Sequence, residues 1–212
     1  MSAVAGAGNW VAALRRFAQP PTAPERCELC DQPIAADHSH LLEPATRRLL
    51  CACPACMLLF ADRTDGRYRA VPRGVRRLDG LAISDAEWAA LRLPIDLAFF
   101  YASSAENRVV AMYPGPAGAT ESLLDLQAWQ RLATANPVLA ELAADVEALL
   151  VNHVDGAREY YRVPIDRCYV LVGLIRRHWH GLSGGTEAWQ AIGDFFARLR
   201  TEPDSLRDCG HA

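Results

Sequence analysis

The chain has 212 residues, and 51% of them are apolar, enough for one full core with a small module attached. A net charge of −3 excludes nucleic-acid binding driven by bulk positive charge. No apolar run approaches the ~20 residues that cross a bilayer, so no membrane span is expected.

All 22 basic residues are arginine, which alongside the abundant alanine reads as coding bias rather than as a device for bidentate anion binding. Residues 1–23 open the chain. Trp10, Ala13, Leu14 and Phe17 recur there at helical spacing and predict a short amphipathic helix that docks on the body or on a partner. The segment has no basic residues before its apolar run, and Arg15-Arg16 stand where a signal peptide would place a small-residue cleavage site. The expected location is therefore the cytoplasm, where thiols stay reduced and clustered cysteines hold metal more often than disulfides.

Residues 24–62 carry the densest chemistry. Cys27 and Cys30 form one Cys-x-x-Cys pair, and Cys53 and Cys56 form a second. Two such knuckles brought together place four thiolates in a tetrahedron, the geometry of a closed structural zinc site. Between them, Leu41-Leu42 and Leu49-Leu50 flank the turn-like Glu43-Pro44-Ala45-Thr46. The expected hairpin pairs Leu42 with Arg47, His40 with Leu49 and His38 with Cys51. Pro54 suits the first position of a helix, which makes Cys53 its cap and puts Cys56 in the first turn. Knuckle, hairpin and helix in that order predict a treble-clef or zinc-ribbon-like module.

Iron competes for the same ligands. Rubredoxin-type sites also use two Cys-x-x-Cys knuckles, usually with glycine after the second cysteine, where this chain has Asp31 and Met57. A histidine-metal finger nuclease would need further hard-metal ligands in the helix, and residues 57–62 offer only Asp62. His38, His40 and Cys51 are left over. They are either partly exposed histidines beside a small buried thiol, or a second, labile metal or redox position.

Residues 63–201 predict a mixed domain of antiparallel hairpins and helices, so the whole is α+β. Arg63–Gly66 is a polar break, and short strands are expected at Tyr68–Val71 and Val75–Leu78. Ser84 and Glu87 have capping-box spacing, predicting a helix over Asp85–Arg92. The β-rich runs 97–101 and 109–113 predict a hairpin. The Gly- and Pro-rich stretch Pro114–Ser122 reads as a loop ending at a helix start, with Ser122 as cap and Leu123, Leu126, Trp129 and Leu132 as its buried stripe. Such a loop can hold an anion, but its spacing matches neither a P-loop nor a dinucleotide fingerprint. A short helix follows Asn136-Pro137, and Asp155-Gly156 marks the turn between strands 146–154 and 159–163. Helices are expected over 165–179 and 186–200, the latter with apolar face Trp189, Ile192, Phe196 and Leu199. Arg176, Arg177, His178 and His180 form either a solvated helix end or a basic, titratable patch. Residues 202–212, with Cys209 and His211, read as a disordered tail. No catalytic constellation stands out, so the chain reads as a non-enzyme.

Three runs carry a resemblance over roughly residues 10–200. They are Arg26–Cys30 through His38–Leu42 to Leu50–Cys56; Tyr113–Ser122; and Pro164–Tyr169 with Gly181–Gly185. On these motifs the chain resembles an uncharacterised family encoded beside uptake NiFe-hydrogenase structural and maturation genes. The resemblance implies a place in hydrogenase assembly, or service to the hydrogenase's iron–sulfur subunit, with a hydrogenase subunit or maturation factor as partner. The expectation is a zinc-stabilised accessory protein acting by protein–protein binding. The alternatives are a rubredoxin-like iron carrier for the hydrogenase, and an enzyme with its pocket between the 114–122 and 183–185 loops.

Overall fold

A computed structural model describes residues 24–61, 66–181 and 184–202. The expected N-terminal helix, the tail with Cys209 and His211, and Ser183 of the second loop lie outside the described residues.

The fold is α+β with two antiparallel sheets. In the larger one, strands β4 (Arg76–Arg77), β5 (Leu97–Ser103), β6 (Arg108–Gly115), β7 (Gly118–Ser122), β8 (Glu147–Asn152) and β9 (Glu159–Pro164) lie in the order β4-β9-β8-β5-β6-β7. The central strand β5 is apolar at almost every position, Leu97-Ala98-Phe99-Phe100-Tyr101, because both faces of this sheet are covered. Side chains alternate between faces along a strand. Phe99 and Tyr101, with Leu150 and Val163, therefore pack against helices α4 (Ile165–His178) and α5 (Gly185–Thr201). Phe100 and Ala98, with Leu149 and Val151, point the other way, against α2 (Asp85–Ala90) and α3 (Leu126–Ala135). Phe100 stacks on Trp129 with ring centres 4.9 Å apart.

The smaller sheet has the order β2-β1-β3, built from β1 (Ser39–Glu43), β2 (Arg48–Ala52) and β3 (Arg69–Ala70), and is followed in sequence by helix α1 (Pro54–Phe60) after β2. It sits on the α4 side of the large domain. Leu42 and Val71 enter that core. Around them, Arg69 Nε lies 3.3 Å from Asp145, His40 Nδ1 lies 2.9 Å from Asp166 on α4, and Arg47 donates to Glu121 at 2.9 Å.

Several expectations need correction. The β1–β2 register pairs Leu42 with Leu49 and His40 with Cys51, two residues from the expected pairing. The turn is Pro44–Arg47, closed by the Thr46 amide on the Glu43 carbonyl and by a left-handed Arg47 at φ 56°. A two-residue slip keeps every side chain on its face, so the apolar pattern could not distinguish the two registers. The two short strands near residues 68–78 form, but in different sheets: β3 pairs with β1, and β4 with β9. The 114–122 stretch is no loop, because Gly118–Ser122 pairs with β6 through a tight Gly115–Gly118 turn in which Gly118 takes φ 123°. Asp125, not Ser122, caps α3, accepting from the Gln127 and Ala128 amides. Leu123 is consequently exposed and the buried residues of α3 are Ala128, Trp129 and Leu132. On α5, Ala188 and Phe195 join Ile192, Phe196 and Leu199 in the core, and Trp189, expected on that face, is half exposed.

Candidate metal centre

The first knuckle is a short reversal. The Asp31 amide donates to the Cys27 carbonyl at 2.8 Å, the Cys27 amide to the Gln32 carbonyl at 2.9 Å, and Arg26 bridges Pro33. Asp31 sits at φ 61°, the left-handed conformation that glycine or a short polar residue takes most readily. The missing glycine therefore leaves the turn intact.

The second pair is held differently. Cys53 caps α1, its sulfur accepting from the Cys56 amide at 3.4 Å, and Pro54 occupies the first turn, where no amide is required. Cys56 is the buried residue of this helix. The two knuckles bring the Cys27, Cys30, Cys53 and Cys56 sulfurs within 4.8 Å of one another. Cys30 is exposed while the other three are buried.

The electrostatics of this group fit a cation. Burial opposes ionisation of Cys27, yet amide hydrogen bonds from Cys53, Leu29 and Cys30 bring its thiol down to about 6. Cys56 moves the other way: burial first, then its sulfur neighbours, push its thiol well above the ordinary range. Ionisation is therefore easier at Cys27 than at Cys56. Four sulfur donors at this spacing could hold a metal ion, which is bound through deprotonated thiols.

His38, His40 and Cys51 also come together, with ligand atoms within 4.8 Å of one another. Both backbone polar groups of Cys51 bond to Glu28: its amide reaches the carboxylate at 2.8 Å, and its carbonyl accepts the Glu28 amide at 2.9 Å. Facing away from β1 in this way, Cys51 forms with His40 a pair without mutual backbone bonds, the type in which cross-strand side chains approach most closely. Burial, then the charges of Glu28 and Glu25, raise the Cys51 thiol. Asp166, in the first turn of α4, carries no site signal in the sequence. It bonds His40 from 126 residues away, a contact with no local spacing signal.

The remaining candidates disperse. Cys168 is buried in the core under α4, its thiol raised by burial. His178 and His180 each lie 3.9 Å from Glu187, so the basic patch includes a carboxylate. A mostly apolar cavity of about 480 Å³ opens between the β6–β7 turn at Pro114–Pro116 and the Trp179 and Trp189 rings. Of its two carboxylates, Asp96 is engaged by the Trp88 indole at 3.1 Å. Among the described residues, no helix is long and apolar enough to cross a membrane.

A family described as of unknown function, DUF5947, matches residues 26–203, which takes in the four cysteines and the whole of the larger domain. No curated protein and no solved structure matches the chain.

Proposed function

We propose, for a chain that belongs to the DUF5947 family of unknown function, the role of a zinc-stabilised accessory protein that acts by binding another protein. The observation that carries this reading is the outer face of α1. Leu58 is 88% exposed and Leu59 57% exposed, on a seven-residue helix whose cap and first turn supply Cys53 and Cys56. An exposed apolar patch beside a rigid element is one mark of an interaction surface, and this reading places that surface at Leu58 and Leu59.

Zinc is the metal this reading assigns to Cys27, Cys30, Cys53 and Cys56. Its chemistry there is structural, closing four thiolates round a d¹⁰ ion with no redox step. The asymmetry of the two knuckles supports a treble clef: one is a free turn, the other a helix start. A rubredoxin-type iron site uses two turns of the first kind. In this reading the client is a hydrogenase subunit or maturation factor in the cytoplasm, chosen on the resemblance to proteins encoded beside uptake NiFe-hydrogenase genes.

Two experiments test the proposal. Metal analysis of protein purified without chelator is expected to give one zinc in the four-cysteine site of a colourless protein; a red protein with thiolate-to-iron absorption would establish the electron carrier instead. A pull-down from the native host is expected to recover a hydrogenase component, and Leu58→Asp to lose it while keeping the zinc. Deletion that leaves hydrogenase processing and activity intact, with no component recovered, would end the reading.

A further inference from the structure

We propose that His38, His40 and Cys51 form a second metal site, distinct from the four-cysteine site, that takes a first-row divalent ion of borderline softness and leaves its fourth coordination position open. This inference stands on the geometry of these residues and does not rest on the accessory-protein reading.

The two rings are oriented by their other nitrogens. His38 Nδ1 lies 2.9 Å from the Ala35 carbonyl oxygen and 3.2 Å from Glu25 Oε2. Both neighbours are acceptors, so Nδ1 carries the ring proton and Nε2 keeps its lone pair. His40 Nδ1 lies 2.9 Å from Asp166 Oδ2, which fixes the same tautomer. A carboxylate or carbonyl behind one nitrogen is how ligating histidines are usually held, and it raises the basicity of the other nitrogen. Against this background one atom stands out. The His38 side chain is only 9% exposed, and its Nε2 is buried with no hydrogen-bond partner. An unpaired imidazole lone pair costs free energy when buried, and His38 is one of three residues, with His40 and Cys51, whose ligand atoms lie within 4.8 Å of one another.

The donor set defines the ion. Two imidazoles and one thiolate suit zinc, cobalt or nickel rather than magnesium or calcium, which prefer oxygen. Three protein ligands are the number found where a metal keeps an exchangeable position, whereas closed structural sites use four. All three residues are only partly buried, which leaves an ion a path to them. The sheet supplies rigidity, since His40 and Cys51 are direct cross-strand partners and Glu28 clamps Cys51 at both backbone atoms.

The test uses the full chain carrying one zinc in the four-cysteine site, titrated with Co²⁺ while bound zinc is monitored. The expected result is one further equivalent of cobalt with the visible spectrum of a tetrahedral thiolate complex. Cys51→Ala and His38→Ala should abolish that spectrum with the zinc retained. Asp166→Asn, which touches no metal, should weaken cobalt binding by about 10–100-fold. A Cys209→Ala/His211→Ala variant should bind as the parent does. No second equivalent, cobalt binding that survives Cys51→Ala, binding indifferent to Asp166→Asn, or binding lost only with the tail variant would each overturn the site. Should His38→Ala also shed the zinc, the module has unfolded and Asp166→Asn alone decides.

Discussion

The two halves of this molecule bury different things. In the large domain, a six-stranded sheet separates two apolar cores, and residues such as Phe99, Phe100, Leu149 and Leu150 are wholly enclosed. In the small module the enclosed cluster is Leu41, Leu50 and Ala52 together with Cys27, Cys53 and Cys56. Half of that core is cysteine from the candidate metal site. A module of this size removes too little apolar surface from water to offset the entropy of ordering its chain. In the proposed zinc-bound form the metal supplies what burial cannot, so the module's stability is then a binding free energy while that of the domain is a packing free energy.

The largest expected effect exploits that difference. Structural zinc contributes about 10–16 kcal/mol of binding free energy in small finger peptides, far more than any side-chain contact here. Chelation, or Cys53→Ala, is therefore expected to abolish amide-exchange protection over β1, β2 and α1 while strands β5, β8 and β9 keep theirs. Hydrogen exchange with mass-spectrometric readout measures both in one experiment. If the whole chain lost protection together, the two halves would be one cooperative unit, held through Leu42, Val71 and the Arg69–Asp145 contact.

The converse substitution acts on packing. Phe100 is fully buried and stacked on Trp129, so Phe100→Ala should cost about 3–5 kcal/mol in the large domain, seen as a lower denaturant midpoint. Metal content should not change, because no ligand lies in that core.

How far each half was legible in the sequence follows from the same contrast. Periodic burial writes itself along the chain: the unbroken apolar run of β5 and the stripe Ile165, Cys168, Leu171, Val172 and Ile175 on α4 were readable because each repeats a local geometry. The clustering of Cys27, Cys30, Cys53 and Cys56 was readable by spacing alone. What was hidden depends on a distant partner or a left-handed residue. The β1–β2 register turns on Arg47 at φ 56°, which nothing in its side chain announces. Strand β7 looked like a loop because Pro114 and Gly115 break strand propensity. Yet Pro114 lies beyond Met112, the last β6 residue paired with β5, where its missing amide breaks no bond to that strand. The His40–Asp166 contact joins the module to α4 across most of the chain, and a pattern within any short window cannot contain it.

Acid sharpens the comparison on the domain side. His153 is buried against Trp88 and bonded to the Tyr160 hydroxyl at 2.9 Å; burial first, then Arg158, hold it below its ordinary value. A histidine depressed in the folded state contributes stability that is present above about pH 6.5 and is lost as pH falls through its native value. Glu159 follows at lower pH. Burial opposes its charge, but Arg200 at 2.6 Å and Asn152 at 2.9 Å outweigh it and keep the carboxyl below the usual range. Its contribution is present above about pH 4.3 and disappears as it protonates. Unfolding midpoints should thus fall in two stages on acidification, with Glu159→Gln flattening the lower stage only. A single transition coinciding with metal release would place the acid sensitivity in the small module instead.

The smallest effect belongs to a local motif that needs neither metal nor core. Ser84 accepts the Glu87 amide at 3.3 Å while Glu87 accepts the Ser84 amide at 2.8 Å, closing a reciprocal box at the start of α2. The helix has only six residues, so its ends dominate it, and its buried residue Trp88 packs over Phe100 and His153. Ser84→Ala is expected to cost about 1 kcal/mol, lowering Tm by about 2–4 °C, and Ser84→Asp to recover most of it. The loss should be the same with zinc bound and with zinc removed, because the box lies wholly within the domain that packing holds. A loss that grew on chelation would mean that the metal's stabilisation reaches across the seam, and the division between the two halves would have to be redrawn.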